Sequence, residues 1–195
     1  YDPKAASYEA EVSEAKASNP EAVVLIGFDE SSKIVQEMIK QGIGPDKVPL
    51  YLVDGNMGNA LAEGLPAGTL NGAKGTIPGA ESSDAFKSAL LAVDPALQDF
   101  SYAPESYDAV NMIALAAQAA GSDNGKAIAS KLREISEGGE KCTNFADCKK
   151  LLDEGKDIDY DGASGPVNFT DTGNVTVPAT RLLVIDDSGQ WVSTK

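Results

Sequence analysis

The stretch that decides the fold is PEAVVLIGFDESSKIVQEMIKQGIGPDKVPLYLVDG, residues 20–55. Its apolar run at 22–27 is typical of a strand buried in a parallel sheet. A helix is predicted to begin at the two serines that follow, where a hydroxyl can cap it, and to end at Gly42. Residues 48–53 indicate a second buried strand. A helix that joins two buried strands forms a right-handed βαβ unit, so the stretch predicts an α/β fold with a parallel sheet flanked by helices.

The ends of these two strands carry three candidate ligand-binding residues. Asp54 follows the second strand directly, and Phe28 and Asp29 end the first. Because small molecules bind beyond the carboxyl ends of strands in open parallel sheets, all three are expected to face one crevice. Each also has an ordinary structural interpretation. Asp54 begins the turn sequence Asp-Gly-Asn, Phe28 can pack, and Asp29 can cap the following helix.

Helical and strand patterns continue along the rest of the chain. Apolar periodicity predicts helices at 3–17, 83–93 and 105–120, a further helix between 122 and 135, and a third strand at 73–77. Strand-like pieces are predicted in the tail at 167–169, 175–177, 182–185 and 191–192. The inward positions are predicted to be Tyr8 and Val12 in the first helix, Ile34, Val35, Met38 and Ile39 in the second, and Phe86, Ala89, Leu90 and Val93 in the third.

Composition narrows the classes of function. The chain has 195 residues, 42% of them hydrophobic and 24% charged, as expected of a globular protein. Its net charge of −14 opposes binding to phosphate backbones, so no nucleic-acid partner is expected. It contains no histidine, which excludes histidine-based catalytic triads within this chain. A binding protein without a cofactor is favoured over an enzyme, although an enzyme with a second carboxylate near Asp54 stays open.

The two cysteines lie close together in a polar segment. Five residues separate Cys142 from Cys148, a loop that a disulfide can close. A disulfide would indicate an oxidising, extracytoplasmic compartment, and two unrelated thiols are the alternative. A metal site is disfavoured, since two thiols without histidine leave the coordination shell of zinc unfilled.

An acidic repeat, Asp157-x-Asp159-x-Asp161-Gly162, matches the residue spacing of the first half of a calcium-binding EF-hand loop. The match fails further along, because Asn168 stands where that loop needs a bidentate glutamate. No metal is therefore expected at this repeat.

Three patterns together resemble the type I periplasmic solute-binding proteins, in the substrate-binding branch of branched-chain amino acid ABC transporters. The patterns are AVVLIGFDESSKIVQEMIKQGI (22–43) followed by PLYLVDG (49–55), then SYAPESYDAVNMIALAAQAAGS (101–122), then DGASGPVNFTDTGN (161–174). In order and spacing the resemblance covers nearly the whole chain, and it matches only the C-terminal portion of the family.

The resemblance implies an extracytoplasmic component of an ABC importer, periplasmic or lipid-anchored. Such a component closes two α/β lobes over an amino acid or similar solute and delivers it to a permease. A ligand-sensing receptor ectodomain with the same fold is the alternative.

The same resemblance divides the chain into three parts. Residues 1–103 would form the ligand-binding segment of the C-terminal lobe, 104–178 a returning portion of the N-terminal lobe, and 179–195 strands that cross back. The N-terminal half of the family pattern would be missing. The helix at 105–120 is therefore expected to expose an apolar face, which self-association of the fragment or a complementing fragment would cover.

The resemblance also implies roles for single residues. Asp54 matches an acid that pairs with the α-ammonium group of an amino acid, and Phe28 and Asp29 would lie beside the same pocket. Tyr102 flanks the expected hinge crossing, where it would touch solute or pack the crossover. Asp108 is expected in the first turn of its helix, where the helix macrodipole favours a negative charge.

Overall fold

The computed structural model describes residues 1–62, 64–175, 180–187 and 189–194. The chain forms two compact units, Tyr1–Pro78 with Thr180–Lys195, and Gly79–Ala179. Each unit has its own sheet and its own hydrophobic core. Residues 176–177 of a predicted strand, and the expected boundary between 178 and 179, lie outside the described residues.

Helices and strands alternate through the first part of the chain, as the sequence predicts. The helices are α1 (Glu9–Ala17), α2 (Ser31–Gln41), α3 (Asp84–Val93), α4 (Ala103–Ala120), α5 (Gly125–Lys131) and α6 (Phe145–Asp153). The strands are β1 (Val23–Leu25), β2 (Leu50–Leu52), β3 (Lys74–Pro78), β4 (Glu140–Cys142), β5 (Ile158–Gly162), β6 (Gly165–Pro166), β7 (Thr180–Ile185) and β8 (Trp191–Ser193). Two short 3₁₀ turns lie at Asp54–Asn56 and Asn59–Ala62.

The first unit is built on a five-stranded sheet in the order β1-β2-β3-β7-β8. β1, β2 and β3 are parallel, and β7 and β8 add to them as antiparallel strands. The predicted βαβ unit is present, with α2 joining β1 to β2. The predicted α/β fold is confirmed, and the tail makes the sheet mixed rather than wholly parallel.

One face of this sheet packs against α1 and α2 and forms the core of the first unit. Gly42 ends α2 in the left-handed conformation that the sequence predicts. The prediction for Ile39 is wrong, because this residue lies in the last turn of α2 and is exposed, whereas Val35 and Met38 are buried. The buried residues that line the sheet side of this core are Leu25, Leu50, Leu52, Ile77, Leu183 and Ile185.

The opposite face of the sheet exposes several apolar side chains. Ile26 just past β1 retains 70% of its accessible surface, and Val24, Tyr51 and Leu182 are exposed as well. Parallel strands are normally buried on both faces. Within the described residues, this face therefore exposes apolar side chains next to the polar Lys74 and Thr76 of β3.

The second unit packs α4, α5 and α6 against the small sheet β4-β5-β6. A disulfide joins Cys142 at the end of β4 to Cys148 in α6, which is the pairing that the sequence favours. Met112, Leu115 and Ala116 of α4 are buried in this core. On the other side of α4, Val110 is 68% exposed and Ile113 is also exposed, as expected for a helix whose apolar face is incompletely covered.

The helix α3 forms where the sequence predicts it, with the side chain of Ser83 capping its first turn. Its predicted burial is wrong, since no residue of α3 is buried and Val93 is 87% exposed. Only Phe86 makes a defined aromatic contact, edge-to-face with Tyr107 at 5.5 Å between ring centroids. An amphipathic pattern specifies a helix, but burial also needs a surface that the stripe can cover.

Candidate ligand-binding edge of the sheet

The carboxyl ends of β1 and β2 are held together by Asn56. Its side-chain amide donates to the carbonyl oxygen of Leu25 at 2.9 Å and to Oγ of Ser31 at 3.0 Å. Its Oδ1 accepts the N–H of Val53 at 3.0 Å. One buried side chain thus joins the ends of two strands to the first residue of α2, which fixes the edge where ligands bind in parallel sheets.

Asn56 was not among the candidates chosen from the sequence. The signal was available in the tripeptide Asp54-Gly55-Asn56, which follows a buried strand, but its partners lie 25 to 31 positions earlier in the chain. The tripeptide forms a 3₁₀ turn, so the turn interpretation of Asp54 is correct as far as the backbone is concerned.

Asp54 and Phe28 both lie at this edge, where Phe28 approaches Gly55, the residue after Asp54. Asp54 is exposed at the first position of the turn, directly after β2. Phe28 is 69% exposed, and its ring lies over the backbone of Gly55. A methyl group added to Gly55 would lie 2.8 Å from the carbonyl oxygen of Gly27 and 3.0 Å from Cε1 of Phe28. The absence of a side chain at Gly55 therefore allows the two loops to approach closely.

Asp29 is exposed at the same edge and does not cap α2 through its side chain. The residue that precedes the helix is Glu30, and it makes no side-chain cap hydrogen bond. The carbonyl oxygen of Asp29 accepts the hydroxyl of Ser32 at 3.1 Å. The capping interpretation of Asp29 is therefore wrong, because the chain reaches α2 through one more residue.

The loop that carries Phe28 is held by Glu30. The carboxylate of Glu30 accepts the N–H of Phe28 at 3.0 Å and the hydroxyl of Tyr1 at 2.9 Å. Burial raises the pKa of Glu30, but these hydrogen bonds and the one from its own N–H outweigh burial, so the net pKa is lowered. For Tyr1, burial first and then the hydrogen bond to Glu30 raise the pKa to about 12.

Tyr102 belongs to the second unit. It directly precedes α4 and adopts the left-handed conformation, with φ of 59°. A non-glycine residue in that conformation costs free energy, so the entry to α4 is a constrained position. A role for Tyr102 in binding stays a prediction.

Asp108 is the centre of a buried polar network in the second unit. It is 2% exposed, and its Oδ1 accepts the hydroxyl of Tyr160 and the N–H of Ala163, each at 2.8 Å. Its Oδ2 accepts the N–H of Ser164 at 2.7 Å and the hydroxyl of Ser164 at 2.5 Å. Because α4 begins at Ala103, Asp108 lies beyond the first turn, and the predicted macrodipole role is wrong.

This network anchors the turn between β5 and β6 to α4. The amide of Asn111 donates to the hydroxyl of Tyr160 at 3.0 Å. Burial is the largest cause of the raised pKa of Tyr160; the hydrogen bond from Asn111 lowers this pKa, and Asp108 raises it. A side chain at Gly162 would overlap the carboxylate of Asp108, so only glycine fits there.

The acidic repeat of β5 is occupied by a lysine. The ammonium group of Lys141 lies 3.0 Å from Oδ2 of Asp159 and 2.9 Å from Oδ2 of Asp161. Hydrogen bonds to these two carboxylates, Asp161 first, raise the pKa of Lys141. Within the described ranges, no cluster of three or more acidic or cysteine side chains has the arrangement of a metal site.

None of the described helices combines the length and the apolar character that crossing a bilayer requires.

Comparison with known proteins gives one family. A family model described as periplasmic binding protein matches residues 1–190. A curated relative, the chemotactic signal transduction system substrate-binding protein BasB of Halobacterium salinarum, is 29% identical over 163 residues, which are 82% of this chain and 38% of that protein.

Two solved structures have the same fold. The leucine-binding protein LivK of Thermotoga maritima superposes with a TM-score of 0.73 at 18% identity. The superposition covers 100% of this chain and 49% of the LivK chain. LivJ of Streptococcus pneumoniae, a branched-chain amino acid transporter substrate-binding protein in complex with isoleucine, gives a TM-score of 0.69 at 18% identity, with 100% and 51% covered.

The chain thus spans about half the length of these solved structures and 38% of the curated relative. The family consists of solute-binding proteins rather than enzymes, and membership implies an extracytoplasmic location. Because the family model matches residues 1–190 of 195, the chain belongs to the type I periplasmic binding proteins.

Proposed function

We propose that this chain is part of an extracytoplasmic solute-binding component of an ABC importer, which binds an amino acid or a similar small solute and delivers it to a permease. The observation that carries the proposal is the exposed pair of Asp54 and Phe28 at the carboxyl end of the parallel strands. In a member of this family, that edge is where a solute is expected to bind. No catalytic step is part of the proposal.

The chemistry of the edge suits a small zwitterion with an apolar side chain. The carboxylate of Asp54 would accept hydrogen bonds from an ammonium group, and such charge-assisted bonds are short and strong. The ring of Phe28 would contact the apolar part of the solute, and Asp29 would lie at the rim of the pocket. Glu30 and Asn56 would act as positioning residues, since they fix the loops that carry Phe28 and Asp54.

The lobes of the longer protein would then close over the solute. We propose that residues 1–103 form the C-terminal-lobe segment, 104–178 a returning part of the N-terminal lobe, and 179–195 strands that cross back. Tyr102 would touch the solute in the closed state. Closure is favoured only to the extent that the solute binds the closed state more tightly than the open one. Since this chain supplies one side of the cleft, we expect it to bind weakly alone.

The test is calorimetric titration of the longer protein with a panel of amino acids and related amides and acids. Asp54→Asn removes the charge and keeps the shape, and we expect it to abolish binding of the best solute while the melting temperature stays unchanged. Asp46→Asn, at an exposed acid that precedes β2 and pairs with Lys47, is the matched control, since Asp54 follows that strand. Unchanged affinity in Asp54→Asn would refute the proposed role.

A sensory protein with the same fold is the second candidate. The observation that favours it is the 29% identity to a substrate-binding protein of a chemotactic system. Deletion of the gene distinguishes the two functions, since loss of solute uptake supports the importer and loss of a behavioural response with normal uptake supports the sensor.

We also propose that the 195-residue chain self-associates through the apolar face of α4 that includes Val110 and Ile113. Sedimentation analysis should give a mass above that of the monomer. Val110→Lys with Ile113→Lys should release monomers, whereas Ser130→Lys, at an exposed position of α5, should not. A monomer with full helicity at micromolar concentration would contradict self-association.

A further inference from the structure

Both of the chain's Asn-x-Ser/Thr tripeptides lie in one short segment that follows β6. They are Asn168-Phe169-Thr170 and Asn174-Val175-Thr176. This tripeptide, without proline in the middle, is the acceptor sequence for N-linked glycans. It indicates a modification site only where the segment lies at the surface of a protein that leaves the cytoplasm. The second condition is met, because the family is extracytoplasmic and the two cysteines form a disulfide.

The structure makes this segment a hairpin at the surface of the second unit. Phe169 and Val175 form an antiparallel bridge, and residues 170–174 lie between them. The N–H of Thr170 donates to the carbonyl oxygen of Asn174 at 2.7 Å, which closes the turn. All residues from 171 to 175 are exposed. The segment therefore meets the first condition as well.

Both asparagines lie on the outer side of this hairpin. Val167 and Phe169 pack against the core of the second unit. Successive residues of an extended segment alternate between its two faces, so Asn168 and Thr170 share the outer face, where both are partly exposed. Asn174 is exposed at the end of the turn, and its Nδ2 donates to Oγ1 of Thr172 at 3.1 Å. The argument for Asn174 uses that residue alone, since Thr176 lies outside the described residues.

We propose that this hairpin is a site of N-glycosylation, with Asn168 and Asn174 as the acceptors and a lipid-linked oligosaccharide as the donor. Nδ2 of each asparagine forms a bond to the anomeric carbon of the donor sugar and loses a proton. The bond from that carbon to the phosphate oxygen of the donor breaks, and the lipid phosphate leaves. The hairpin belongs to the second unit and the ligand-binding edge to the first, so this inference does not depend on which solute is bound.

Mass spectrometry of the protein purified from its native organism tests the proposal. Trypsin releases both asparagines in one peptide, residues 157–181, because no lysine or arginine lies between Lys156 and Arg181. We expect this peptide to exceed its sequence mass by whole sugar units, and fragmentation should place the sugars on Asn168 and Asn174. A peptide found only at its sequence mass, or with sugar only on serine or threonine, would overturn the proposal. Sugar on one asparagine alone would support the site and overturn the assignment of the other acceptor.

Two substitutions of Thr170, made in the native organism, test the acceptor role of Asn168. Thr170→Ala removes the hydroxyl that the tripeptide requires and should abolish the sugar on Asn168, whereas Thr170→Ser keeps a hydroxyl and should retain the sugar. The sugar on Asn174 should remain in both variants and is the internal reference. Because Oγ1 of Thr170 accepts the N–H of Asn174 at 3.1 Å, the melting temperature of each variant verifies that it folds. Sugar on Asn168 in the alanine variant, or its loss in the serine variant, would overturn the assignment.

Discussion

The buried carboxylate of Asp108 gives a quantitative test of how the second unit is held together. We expect Asp108→Asn to lower the free energy of unfolding by about 1–3 kcal/mol. The carboxylate accepts four hydrogen bonds, two on each oxygen. In either orientation, the amide NH2 replaces one of the two acceptor oxygens. The hydroxyl bonded there can turn and accept from the amide, but the backbone N–H bonded there is left without an acceptor, which costs about 1–3 kcal/mol for a buried donor.

Urea unfolding followed by far-ultraviolet circular dichroism measures this loss. Hydrogen exchange should report it locally, with faster exchange at the amides of Ala163 and Ser164, which bond to the carboxylate. Asp123→Asn, at an exposed acid in the same unit, is the control and should change neither measurement. Stability within about 0.5 kcal/mol of the parent for Asp108→Asn, with unchanged exchange at both amides, would refute the account of the network.

Three further predictions concern the disulfide and the ligand-binding edge. Replacing Cys142 and Cys148 by serine should cost about 2 kcal/mol, the loop-closure value for so short a loop, and reduction should abolish the difference in melting temperature from the parent. Gly55→Ala should cost about 1–3 kcal/mol, because the methyl group overlaps the carbonyl oxygen of Gly27 and crowds the ring of Phe28, and an unchanged melting temperature would contradict that packing. Glu30→Gln should lower the melting temperature most at neutral pH. Because folding lowers the pKa of Glu30, its carboxylate contributes stability above the ordinary pKa of 4.5, and this contribution is lost as the pH falls below that value. The melting curves of parent and variant should therefore converge in acid.

The parts of the fold that depend on neighbouring residues could be predicted from the sequence. The βαβ unit follows from two short apolar runs and the stripe between them, and Gly42 ends α2 because glycine adopts the left-handed conformation without strain. The disulfide could be expected from the spacing of its two cysteines. In each case the signal for a single helix, strand or disulfide lies within about a dozen residues.

The parts that depend on distant residues could not be predicted in this way. Asp108 bonds to residues 52 to 56 positions away, so its sequence neighbourhood shows only an acid near the start of a helix. Asn56 reaches back 31 positions to Leu25 in the same manner. For α3, the amphipathic pattern predicts the helix correctly, but the sequence of the helix does not contain the surface that would bury it.

The most direct test of the proposed function is a crystal structure of the longer protein with its best-binding amino acid. We predict that the ammonium nitrogen of the solute lies about 2.7–2.9 Å from a carboxylate oxygen of Asp54, with the ring of Phe28 against the solute. A solute bound elsewhere, with Asp54 and Phe28 both facing bulk water, would contradict the account.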